Sequence, residues 1–167
     1  MAPRHTVLPL AYRAFFLVIE PISALAGAYY AHFRKADYLA LTAHSDAAAA
    51  PDGAASVALS QLANMYLLFA LNEALVLRAT GDVQVWRTVL AVLLLADFGH
   101  LWAVGGAGAG GGGVDALRIY WDVAGWNVMD WGNVPFVYLG AALRVAFLAG
   151  VGMGMPARSN KPRAAKK

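Results

Sequence analysis

The sequence predicts an all-α membrane protein: a four-transmembrane-helix bundle with both termini cytosolic. Three observations lead there. Hydrophobic residues make up 60% of the chain and charged residues only 14%, against roughly 45–50% and 25% in soluble domains. With a mean hydropathy of +0.54, a fold of 167 residues has more apolar surface than a soluble core hides, so the excess faces lipid. Four apolar runs, at 10–33, 57–78, 84–104 and 134–155, reach the roughly 20 residues that cross a hydrocarbon core. These runs also carry ionisable and amide groups well inside their length. A charge at the centre of a lipid-facing helix costs about 2.5 to 3.5 kcal/mol on insertion scales, so such groups must turn toward other helices or water.

The first run follows a short basic stretch, 1–9, and is too long for a signal-peptide core, so it is expected to stay as an anchor. Glu20-Pro21 sits near its middle, and a proline there removes a backbone donor and predicts a kink. Ser23, Ala24, Gly27 and Ala28 form a stripe of small residues suited to close helix contact. The stretch 34–52 reads as a loop, since HSDAAAAPDG is polar and punctuated by proline and glycine.

The second and third spans are joined by the tight polar turn Ala79-Thr80-Gly81-Asp82. The glycine tract GGAGAGGGG at 105–113 reads as a flexible linker; no βαβ pattern surrounds it, so its GxG spacing is no dinucleotide loop. From 115 to 133, Trp121, Trp126 and Trp131 alternate with Asp122, Asn127, Asp130 and Asn133, as expected of an interfacial or re-entrant segment at the headgroup boundary. The fourth span is apolar except for Arg144. The chain therefore reads as one domain over 1–155 with a basic, disordered cytosolic tail over 156–167.

Basic residues set the orientation. Nine lie on the terminal side (Arg4, Arg13, Arg78, Arg87 and five in the tail), and three on the other (Arg34, Lys35, Arg118) among six aspartates. The positive-inside rule then places both termini in the cytosol. The net charge of +3 is concentrated in the tail, which suits anionic headgroups and not nucleic acid. The absence of cysteine excludes disulfides and thiolate metal sites.

A rise of about 1.5 Å per residue gives each polar group a depth. Glu20 and Arg144 fall near the midplane, Asp97 about 4–5 Å above it and His100 one turn further, while Glu73 lies deeper with Arg78 below it. Arg144 needs a carboxylate, either Glu20 or Asp97. Gln61, Asn64 and Asn72 share one arc of the second span, and Asp130 and Asn133 approach from above. These groups are expected to converge on a pocket open to the non-cytosolic face. Asp97, His100 and Glu73 are its candidate catalytic residues. Glu20, Gln61, Asn64, Asn72, Trp102, Trp126, Asn127, Asp130, Asn133, Tyr138 and Arg144 are the candidate ligand contacts. For Gln61 and Asn64 the alternative is interhelical glue, worth about 0.6 kcal/mol each. Asp97-x-x-His100 has metal-ligand spacing, but a di-metal bundle needs two such pairs, so no metal or other cofactor is expected.

The strings Gln61-Leu-Ala-Asn64, Leu71-Asn-Glu-Ala-Leu-Val-Leu-Arg78, Val85-Trp-Arg87, Asp97-Phe-Gly-His100-Leu, Trp126-Asn-Val-Met-Asp130-Trp-Gly-Asn133 and Tyr138-Leu-Gly-Ala-Ala-Leu-Arg144 resemble an uncharacterised family of small fungal membrane proteins, a domain of unknown function. The architecture is more distantly similar to four-helix EXPERA-type proteins, the sterol isomerase and sigma-2 receptor group, and to fungal membrane terpene cyclases. That likeness implies a lipophilic ligand and, by analogy, the endoplasmic reticulum membrane.

Two functions follow. The protein binds a lipophilic, sterol- or terpenoid-like molecule in a polar intramembrane pocket. Alternatively, it is an acid–base isomerase or non-oxidative cyclase of such a molecule, with Asp97 or Glu73 as acid and His100 as relay. A third reading, a scaffold with purely structural ion pairs, uses no ligand. The expected partners are the bilayer and a small lipophilic molecule.

Overall fold

The computed structural model describes residues 8–45, 50–107 and 117–153, and among these there is no β-strand. Four helices are long and apolar enough to cross a membrane: Leu10–Phe33, Gly53–Val76, Val83–Gly105 and Val128–Leu148. They fit a multi-pass membrane protein. We label the elements α1 (Leu10–Phe33), α2 (Lys35–Thr42), α3 (Gly53–Val76), α4 (Val83–Ala107), α5 (Val128–Asn133) and α6 (Pro135–Leu148). Helix α5 leads straight into α6 to make the fourth span.

The helix ends explain where the spans differ from expectation. Asp52 caps α3 by accepting the Ala55 N–H at 2.7 Å, so that helix starts four residues before the expected Val57. Asp82 Oδ1 takes the Gln84 N–H at 2.8 Å at the start of α4. Asn127 and Asp130 form a reciprocal capping box, so the fourth span begins at Val128, inside the expected interfacial segment. It closes at Leu148 rather than 155, because Gly150 and Gly152 take φ of 80° and 71°.

The expected loop at 34–52 also contains structure. Lys35–Thr42 is helical, and His44 follows it with φ of 51°, ending the helix as a glycine normally would. The rest of the tryptophan-rich segment is two 3-10 turns, Arg118–Tyr120 and Val123–Gly125. Residues 108–113 of the glycine tract, Asp115 and the basic tail lie outside the described residues.

Helices α1 and α3 pack most extensively, and α4 pairs with α6. The α1–α3 seam is made of small residues: Gly27, Ala28 and Ala31 meet Leu59, Ala63 and Tyr66. Lipid tails are as apolar as leucine, so such helices associate by close packing and not by hydrophobic expulsion. The two pairs join at one end of the bundle through a buried aromatic and aliphatic cluster. Tyr12, Phe16, Trp86, Leu90 and Phe147 belong to it, with Trp86 stacked 5.8 Å from Phe147 and Tyr12 edge-on to the same ring at 5.2 Å. At that end Arg87 Nη2 donates to the Leu148 carbonyl at 2.8 Å and Tyr12 Oη to that of Val151 at 2.9 Å. At the opposite end α2 lies against α5. Between these two junctions lies a cavity lined by residues of all four spans.

Candidate functional site

Each span sends an ionisable side chain to one point. Arg144, fully buried on α6, donates from Nη1 to Asp97 Oδ2 of α4 at 2.8 Å, and from Nη2 to Glu20 Oε1 of α1 at 2.8 Å and Glu73 Oε1 of α3 at 3.1 Å. The rings of Phe16 and Phe69 lie 5.5 and 5.6 Å from the guanidinium carbon, within cation–π range. Among sites of this kind arginine is suited to the task, because its planar fork donates in several directions at once.

Local sequence makes room for this node. Helical side chains lean toward the N-terminus, over the residue one turn back. One turn before Arg144 stands Gly140, where a Cβ would come within 2.8 Å of Arg144 Nη1 and 3.0 Å of Glu20 Oε1. Two π-helical turns, Phe15–Ile19 on α1 and Asn72–Val76 on α3, pack against each other beside it. A π turn shifts the phase of the residues that follow and often marks a functional site; here it lets Phe15, Phe16 and Glu20 all face inward. The distortion expected at Pro21 thus takes the form of a π turn directly ahead of it. Pro21 has no N–H for the carbonyl of Leu17, and Arg78 Nη2 donates to that carbonyl instead, at 3.0 Å. Arg78 is therefore not the partner of Glu73.

Beyond the node, toward the α2–α5 junction, lies a cavity of about 460 Å³. Glu20, Asp97 and Phe69 form its floor, with His100, Asn133 and Tyr66 higher on the walls. Tyr38 and Leu41 of α2 and Met129 of α5 close the top. That roof is held by Asn127 Nδ2 donating to the Leu41 carbonyl at 2.7 Å, by Tyr38 Oη and Tyr66 Oη at 3.2 Å, and by His44 Nε2 with Asp130 Oδ2 at 3.2 Å. Met65, Ala96 and Val128 line the cavity and are exposed, so the cavity is open at its rim.

Four buried polar atoms have no hydrogen-bond partner among the described residues: Glu20 Oε2, Glu73 Oε2, Arg144 Nε and His100 Nε2. His100 is hydrogen-bonded to the Asn133 backbone. Among the described residues no group of three or more His, Cys, Asp or Glu is arranged to hold a metal ion.

Residues 5–154 match the family described as Domain of unknown function (DUF7704). The chain belongs to that family. The match spans all four helices of the DUF7704 domain, including every residue of the node and cavity. No curated protein and no solved structure matches the chain.

Within the DUF7704 domain the candidate residues separate into three groups. Glu20, Glu73, Asp97 and Arg144 form the node, and Glu20, Asp97, His100 and Asn133 border the cavity. Asn127, Asp130, Trp126 and Tyr138 shape the roof end: Trp126 Nε1 donates to the Ile119 carbonyl at 2.8 Å and Tyr138 Oη to that of Tyr120 at 3.3 Å. Gln61, Asn64, Asn72 and Trp102, expected at the pocket, do not reach it. Gln61 and Asn64 are exposed, Trp102 is 85% exposed, and Asn72 Nδ2 returns to the Leu68 carbonyl of its own helix at 3.0 Å. The reason is packing. Helix α3 turns its Leu59, Ala63, Ala70 and Glu73 stripe inward, and close small-residue contact outweighs two amides worth a few tenths of a kcal/mol each.

Sequence reasoning missed Gly140, Phe16, Phe69, Tyr38 and Tyr66. Gly140 carries a signal, a glycine one turn ahead of the lone intramembrane arginine. The aromatics carry none that separates them from ordinary apolar surface.

Proposed function

We propose that this protein binds a lipophilic small molecule in the cavity between its two helix pairs, with the apolar body against Met65, Phe69 and Phe136 and a polar group toward Glu20, Asp97 and His100. One observation carries this reading: the cavity runs from exposed apolar residues at its rim down to buried ionisable groups. Ligand sites are typically apolar clefts of this volume range with a few convergent polar groups. The sterol or terpenoid class fits its size and its apolar rim. The experiment is native mass spectrometry of protein reconstituted in nanodiscs, paired with thermal unfolding against sterol and isoprenoid fractions. A bound ligand raises the midpoint by mass action. If no small molecule co-purifies and no fraction moves the midpoint, the reading is wrong.

A second reading, acid–base isomerisation or cyclisation of the same ligand, draws on one specific feature. His100 Nε2 lacks a partner three residues, one helical turn, from Asp97 on the same cavity wall. Turnover of a sterol or prenyl panel, lost in Asp97→Asn, supports it; binding without conversion removes it. We also propose that both termini lie in the cytosol and that the protein resides in the endoplasmic reticulum membrane. Protease protection of terminal tags, together with organelle fractionation, tests both.

A further inference from the structure

The node contains three carboxylates and one guanidinium, so two negative charges are uncompensated if all are ionised. Uncompensated charge in a low-dielectric interior is strongly disfavoured. Glu20 Oε2 and Glu73 Oε2 have no partner among the described residues. Glu20 and Asp97 present this excess of acid over base to the cavity floor. Glu20 is only 6% exposed. Phe69 on the floor and Tyr66 and Phe136 on the walls offer π faces that attract a cation. Arg144 itself sits between such faces a few ångströms below.

We propose that the ligand is a cation, a lipophilic amine or quaternary ammonium compound whose charged head rests on Glu20 and Asp97 while its apolar body fills the cavity. This deepens the binding reading above and rests on it. No bond is made or broken. The head group supplies positive charge that would otherwise come from protons on the carboxylates.

The test uses the whole protein in nanodiscs of zwitterionic lipid and two probes of equal shape: 4-tert-butylphenyl-trimethylammonium, which carries a fixed charge, and 1,4-di-tert-butylbenzene, which carries none. A charge-assisted contact predicts that the cation binds roughly tenfold or more tighter than its isostere in the wild type. Glu20→Gln and Asp97→Asn each remove one carboxylate from the floor and are each expected to lower the ratio of cation to neutral-probe affinity. If both probes bind equally, the cavity reading survives and the cation inference is overturned. If neither binds, both fall. Should either variant fail to fold, the ratio of the two probes in the wild type decides alone.

Discussion

The two halves of the bundle use polar groups in different ways. In the closed half three arginines meet defined partners, Arg144 its three carboxylates, Arg78 the Leu17 carbonyl and Arg87 the Leu148 carbonyl, and Glu73 Oε2 and Arg144 Nε are left over. In the cavity half His100 Nε2 and Glu20 Oε2 stay without partners among the described residues. Replacing a buried ion network with apolar residues of similar volume is often neutral or stabilising, whereas removing one member is costly. Three acids on one base is therefore an arrangement that stability alone does not explain. The difference teaches that the closed half fixes the helices so that the other half is able to hold a cavity.

The comparison breaks most visibly at Arg144. Arg144→Met strips three carboxylates of their shared cation and is expected to cost about 3–5 kcal/mol, read as a lowered thermal midpoint or loss of monodisperse protein in detergent. An unchanged midpoint would mean that the node does not hold the halves together. Gly140→Ala comes next: a Cβ 2.8 Å from Arg144 Nη1 forces the guanidinium or α6 to move, at about 1–3 kcal/mol, by the same assay.

Arg78→Ala leaves the Leu17 carbonyl unpaired and is expected to cost about 1 kcal/mol. Adding Pro21→Ala supplies an N–H for that carbonyl and should recover part of the loss, so a double-mutant cycle reads the coupling directly. Gly132→Phe sharpens the other side of the comparison. Gly132 lines the cavity and a Cβ there meets nothing within 4 Å, so stability should change by less than about 1 kcal/mol while retention of any co-purifying ligand is lost. Smallest of all, Asn64→Leu on the outer face should alter the midpoint by no more than the roughly 0.6 kcal/mol an average membrane hydrogen bond is worth. A larger effect would show that this amide has a partner in the membrane.

The spans were legible because hydropathy counts length and apolarity, and both are properties of the chain alone. Glu20, Asp97 and Arg144 were legible too, since a charge inside such a run has to find another. What the pattern could not supply was rotation. Gln61 and Asn64 share an arc with Asn72, and a depth map places them beside Asp97, yet which arc faces inward depends on how closely Ala63 and Ala70 approach α1. Two π turns add further phase shifts that no 3.6-residue wheel contains, and Glu73 joins Arg144, for which the sequence pointed only to Glu20 or Asp97. The early start of the fourth span was hidden for a different reason: the Asn127–Asp130 capping box was read as headgroup polarity.

The guanidinium sits on the last of the four spans, and the acids on the first three. During synthesis, then, Glu20, Glu73 and Asp97 leave the ribosome before the residue that unites them. Until α6 enters the bilayer these three acids lack their shared cation, so insertion of the fourth span is the step that closes the node.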